Sequence, residues 1–177
     1  VYSLREWKHM LVLVTAFTIG HSITLALATL GWMNMDADLI ETLIPITILI
    51  TALINIVERF SKDTLGAEKR DWRMKYVLAL AFGLIHGLGF SSYLRAILGT
   101  EQNLVTPLFS FNVGLELGQL VILVITLSVS AGIVFLINVV LKRLKRKTDN
   151  TQRNWATLLS VWIAVLALTM ILPMIGS

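Results

Sequence analysis

His21, His86 and Glu116 are the residues of this chain best suited to grip a metal ion, and each lies deep inside a separate hydrophobic stretch. A charged group at mid-bilayer costs roughly 2.5–3.5 kcal/mol on insertion scales, so such groups are normally found with a partner, a proton or a cation. Two imidazoles and a carboxylate brought to one depth make a donor set for a divalent transition metal. Polar neighbours share their faces. Thr18 and Ser22 lie within a turn of His21, and Asn112 and Gln119 stand at i−4 and i+3 from Glu116. Hydroxyls and amides in those places are expected to orient the three ligands. The competing reading is plain helix packing, with each histidine hydrogen-bonded across helices and a protonated Glu116 bonded to Asn112 or a serine.

The stretches that carry these residues dictate the fold class. Of the 177 residues, 56% are hydrophobic and 15% charged, with a mean hydropathy of +0.78. That leaves too little polar surface for a water-soluble domain. The class expected is all-α, a polytopic integral membrane helix bundle in which residues 1–177 form a single transmembrane domain. About 20 apolar residues cross the hydrocarbon as a helix. This predicts spans at 8–31, 39–59, 74–98, from Pro107 toward Leu141, and 155–174. The fourth run, about 35 residues or roughly 52 Å of helix, exceeds the hydrocarbon thickness. Gly114, Gly118 and Gly132 are places where it could break. Five spans are expected, with six as the alternative.

Basic residues alternate with the spans. Arg5 and Lys8 precede the first; Arg59, Lys62, Lys69, Arg70, Arg73 and Lys75 follow the second; Lys142, Arg143, Lys145, Arg146, Lys147 and Arg153 follow the fourth. The segments 32–38 and 99–106 contain none. The positive-inside rule then places the amino terminus in the cytoplasm and the carboxy terminus outside. The net charge of +4 is accounted for by these loops, where it also meets anionic lipid, and no nucleic-acid surface is implied. The absence of cysteine excludes disulfides, thiolate metal sites, iron–sulfur clusters and cysteine nucleophiles. The chain starts at Val1 rather than methionine, as a processed or truncated product would, and any signal peptide or preceding domain would then lie outside this sequence.

On a rise of about 1.5 Å per residue, His21 and His86 lie about 20 and 17 Å from the cytoplasmic starts of their spans, and Glu116 about 14 Å from the outer start of its own. These depths overlap. Both Gly83–Gly87 and Gly114–Gly118 are G-x-x-x-G pairs enclosing an ionisable residue, a spacing that permits close helix contact. Asp36, Asp38 and Glu41 form an acidic outer mouth, a candidate access point for cations. Met33 and Met35 beside it are able to hold a soft ion, although interfacial packing is the favoured role. Asn55 and Glu58, near the cytoplasmic end of the second span, are candidates for egress, against a rim salt bridge with Arg59. His9 has no evident partner. Ser91 and Ser92 lack the context of a nucleophile elbow.

Three stretches carry a family likeness. Phe17–Leu25, Phe82–Phe90 and Phe111–Gln119, reading FTIGHSITL, FGLIHGLGF and FNVGLELGQ, resemble the ordered signatures of the HupE/UreJ family, in its second branch. The resemblance spans about 10–140 and implies a small bacterial inner-membrane protein associated with hydrogenase and urease maturation, regarded as a nickel or cobalt permease. The histidine–proline signature and aspartate–histidine pair of the first branch have no counterpart here. By residue, the likeness carries over His21, His86, Glu116, Asn112, Gln119 and Glu58.

The expected function is binding and transport of a divalent transition metal, nickel first, with zinc, copper, iron or cobalt also suited to the donors. No ATP-binding motif is present, so transport would be passive or coupled to protons or membrane potential, with Glu116 as proton exchanger. The expected partners are membrane lipids, the metal, metalloenzyme maturation proteins and a second copy of the chain. The alternative is a metal-dependent intramembrane enzyme, hydrolase or oxidoreductase, using the same cluster. Further alternatives are a b-type haem held by His21 and His86 and a structural subunit.

Overall fold

In hydrocarbon every backbone polar group must be satisfied within its own segment, and long apolar runs meet that demand as helices. The computed structural model describes residues 7–33, 35–65, 72–98, 104–145, 148 and 150–175. These form five helices in order: α1 (Trp7–Thr29), α2 (Ala37–Leu65), α3 (Trp72–Leu98), α4 (Val105–Arg143) and α5 (Thr151–Ile175). No strand occurs among the described residues. All five helices are long and apolar enough to cross a membrane. The all-α, multi-pass class expected from the sequence is therefore the one observed.

The fourth stretch is one uninterrupted helix of 39 residues. Gly114, Gly118 and Gly132 do not break it, so the described residues hold five spans rather than six. A helix already satisfies the backbone at each glycine, and the apolar runs on either side supply no turn chemistry.

Local signals set the α1–α2 connection. Gly31 takes a left-handed φ of 78°, while its N–H reaches the Ala28 carbonyl and the Trp32 N–H reaches that of Leu27. This is a Schellman ending, which favours glycine because it has no Cβ to clash. Asp36 opens α2: its carboxylate accepts the Asp38 N–H at 3.0 Å, an N-cap bond.

The described residues divide into two compact units. One lies within Trp7–Thr47 and Arg70–Leu120, and so contains α1, α3, the first turns of α2 and the first half of α4. Its centre is a parallel pair, α1 and α3, packed backbone to backbone. A Cβ at Gly83 would run into the Phe17 carbonyl, one at Gly20 into that of Leu80, and one at Gly87 into the carbonyl of His21 and the Thr24 hydroxyl. Thr24 Oγ1 adds a bond across the pair, donating to the Leu84 carbonyl at 2.7 Å. At Gly89 the neighbours are Ile40 and Ile44 of α2. Leu25, Leu94 and Leu108 form a buried apolar cluster of α1, α3 and α4. The G-x-x-x-G reading needs correction in α4, where Gly114 and Gly118 meet nothing within 4 Å. The spacing was the same; among the described residues no partner backbone lies against that face.

The second unit lies within Ile48–Lys69 and Val121–Ser177. It buries Ala52, Ser160, Ala164, Ala167 and Ile171, and Arg59 donates to Asn154 Oδ1 at 3.5 Å. Its outward residues, such as Phe135, Leu158 and Trp162, are large and apolar, as a lipid-facing surface requires.

Candidate metal site

His21, His86 and Glu116 all fall in the first unit. The glycine contacts lay the α3 turn carrying His86 against the α1 turn carrying His21. Phe17, one turn before His21, touches both imidazoles: its centroid lies 6.2 Å from that of His21 and 5.2 Å from that of His86. Phe90 meets His21 edge-on at 5.8 Å, and Phe111 stacks on it at 6.2 Å. His21 is thus enclosed by rings from three helices and is 1% exposed.

Among the described residues, neither ring nitrogen of His21 has a hydrogen-bond partner. A neutral imidazole carries one donor and one acceptor, and each costs about 1–3 kcal/mol when buried unpaired. The packing reading, a histidine hydrogen-bonded across helices, does not describe this residue. His86 differs in a useful way. Its Nδ1 lies 2.8 Å from the Phe82 carbonyl, which makes Nδ1 the donor and leaves Nε2 with its lone pair. That is how a carbonyl fixes the tautomer of a metal-binding histidine.

Glu116 sits in a polar seam between α1 and α4. Thr15 donates to Glu116 Oε1 at 3.3 Å, Thr18 to Gln119 Oε1 at 2.9 Å, and Ser22 to Asn112 Oδ1 at 2.8 Å. The Asn112 amide then bonds the Leu108 carbonyl at 2.9 Å. The four residues expected to surround the ligands, Thr18, Ser22, Asn112 and Gln119, are therefore joined to one another in pairs. Among the described residues, no group of three or more His, Asp or Glu side chains is gathered closely enough to hold a metal ion. Glu116 shares the unit with the histidines, but it accepts its hydrogen bond from Thr15.

The outer candidates separate into roles. Asp36 caps α2, Asp38 occupies its first turn, and Glu41 lines a cavity with Met33 and Met35. Asn55 and Glu58 are half-buried in the second unit. His9, read from the sequence as lacking a partner, has two: its Nδ1 is 2.6 Å from the Tyr76 hydroxyl, and its ring stacks on Trp72 at 4.1 Å. Sequence reasoning also missed Thr15 and the aromatic shell. Phe17 at i−4 from His21 and Phe90 at i+4 from His86 were the available signals.

The profile described as HupE / UreJ protein matches residues 1–174, essentially the whole chain. The chain belongs to the HupE/UreJ family. In this HupE/UreJ protein the three signature stretches, around His21, His86 and Glu116, all fold into one unit. Among curated proteins and among solved structures, nothing matches the chain.

Proposed function

We propose that this protein binds and transports a divalent transition-metal ion, nickel by preference, through His21, His86 and Glu116. The observation that carries the reading is the pair of imidazoles: one buried with both nitrogens unpartnered, the other with Nδ1 committed to a carbonyl and Nε2 left to donate. The family's association with nickel and cobalt handling supports it, as do five helices of membrane-spanning length.

In this reading the histidines supply neutral nitrogen donors. Glu116 supplies the anionic oxygen on leaving Thr15, and it exchanges a proton as the metal passes. Asn112, Gln119, Thr18 and Ser22 hold the α1–α4 seam from which Glu116 acts. Asp38 and Glu41 draw cations to the outer face, while Asn55 and Glu58 lie on the cytoplasmic path of egress. Basic residues at the starts of α1 and α3 support a cytoplasmic location for those ends, and the family supports a bacterial inner membrane.

Metal analysis of the purified protein beside His21→Ala and His86→Ala tests the site. The variants lose bound metal; unchanged stoichiometry overturns the assignment. Nickel uptake into vesicles tests transport, and uptake unaffected by these substitutions removes that part of the reading.

A further inference from the structure

Arg95 breaks the charge pattern of the chain. Every other lysine or arginine belongs to the segments 5–8, 59–75 or 142–153, whereas Arg95 stands alone between Lys75 and Lys142. It occupies the last turn of α3, where the helix dipole favours a cation. That effect alone asks nothing of its surroundings, and its surroundings are specific. A cavity of about 370 Å³ is lined by Arg95, Glu41, Met33, Met35 and Ser91, with Leu88 and Gly89 of α3 in its wall. Glu41 and Arg95 share it without an ion pair joining them. Ser91 is already engaged, donating to the Leu88 carbonyl at 2.7 Å.

The size and the charges narrow the ligand. Six waters at about 30 Å³ each give a hydrated divalent ion about 180 Å³, roughly half the cavity. Small-molecule pockets begin near 300 Å³ by comparison. A hydrated cation would also face the guanidinium as a like charge. A carboxylate is the group a guanidinium fork binds best, in two parallel hydrogen bonds. Thioether sulfur and a second carboxylate suit a metal with open positions. A ligand carrying both an anionic carboxylate and a cationic metal uses all four side chains.

We propose that this cavity receives the metal as a complex with a small α-amino carboxylate. The carboxylate bonds Arg95, and the open positions of the metal face Glu41, Met33 and Met35. The metal is then passed, free of the chelator, toward His86 and His21 on the same two helices; this onward step rests on the function proposed above, whereas binding in the cavity does not. Ala28 of the cavity wall is seven residues beyond His21, about 10 Å along the helix.

Equilibrium binding of radioactive nickel to the purified full chain, with and without glycine, provides the test. The His21→Ala variant removes the deeper site, so any nickel–glycine it still binds reports the cavity alone. Arg95→Gln in that background weakens nickel–glycine binding by about tenfold or more, the effect of losing a charge-assisted bond. Met33→Leu with Met35→Leu weakens it also. In the otherwise unchanged protein, Arg95→Gln leaves binding of nickel without glycine as it was. No nickel–glycine binding in His21→Ala, or none lost on Arg95→Gln, overturns the proposal. Glycine alone binding as tightly as nickel–glycine overturns it too, since the cavity would then recognise an amino acid and not its metal complex. Loss of nickel binding at His21 and His86 would leave these cavity measurements intact.

Discussion

His86 Nδ1 is 2.8 Å from the carbonyl oxygen of Phe82, four residues earlier on α3. The bond holds the ring along its own helix and decides which nitrogen is available. Asparagine at this position has an amide that can replace Nδ1–H as donor, but has nothing in place of Nε2. His86→Asn is therefore expected to keep the helix bond and lose metal affinity by tenfold or more, on the scale of a lost metal–ligand partner. The thermal midpoint of the metal-free variant should stay near that of the parent. A variant that binds nickel normally would remove His86 from the site.

His21 gives a prediction of opposite sign for stability. Both its nitrogens are buried without partners. Replacing an unsatisfied polar group by an apolar one removes a penalty of about 1–3 kcal/mol. His21→Leu should therefore stabilise the metal-free protein while abolishing the rise in stability on adding nickel. For the parent that rise is about 2.7 kcal/mol at a hundredfold excess over Kd. Thermal unfolding in detergent, with and without nickel, reads both effects. Destabilisation in the absence of metal would mean that the imidazole is held by something else.

The glycines of α3 and α4 should respond in opposite ways. At Gly83 a Cβ meets the Phe17 backbone, which can retreat only by separating the helices, whereas Gly118 has open space around it. Gly83→Ala should cost about 1–3 kcal/mol or more, in the range of overpacking. Gly118→Ala should be neutral or gain about 0.5–1 kcal/mol from helix propensity. Equal effects at the two positions would contradict the packing.

The α1–α4 seam is open to a double-mutant cycle. Ser22 donates to Asn112 at 2.8 Å, and interhelical side-chain bonds of this kind couple by about 0.6 kcal/mol on average and at most about 1.7. Ser22→Ala and Asn112→Ala should show a coupling in that range. Additive effects would dissolve the bond as a contributor to stability.

Much of the fold was legible because hydrophobic length is a direct physical requirement of a bilayer. The starts of α1, α2 and α3 fall within two residues of the expected spans. The extension of α2 from Arg59 to Leu65 was missed, since polar residues can continue a helix beyond the hydrocarbon. The G-x-x-x-G pairs showed which faces permit close contact but not what would meet them, which is why Gly83 and Gly114 read alike. Asp36, expected to attract cations, also caps α2, and its place two residues before Asp38 at a helix start was a capping signal. At the candidate site the residue types were visible, but hydrogen-bond direction was not. The Thr15–Glu116 contact joins residues 101 apart, beyond what spacing along one helix reveals.

The contact of glycine with carbonyl between α1 and α3 has one more consequence. No side chain stands between the two backbones at Gly20 and Gly83, and at Gly87 the one that does, Thr24, is tied to the Leu84 carbonyl, which leaves little slack for sliding. The two helices behave as a strut, and both imidazoles ride on it with their separation fixed. Any cycle that captures and then frees a cation must draw its moving part from elsewhere, and α4, which beyond its Leu108 and Phe111 contacts brings Glu116 to α1 through hydrogen bonds at Thr15, Thr18 and Ser22, is the member able to let go.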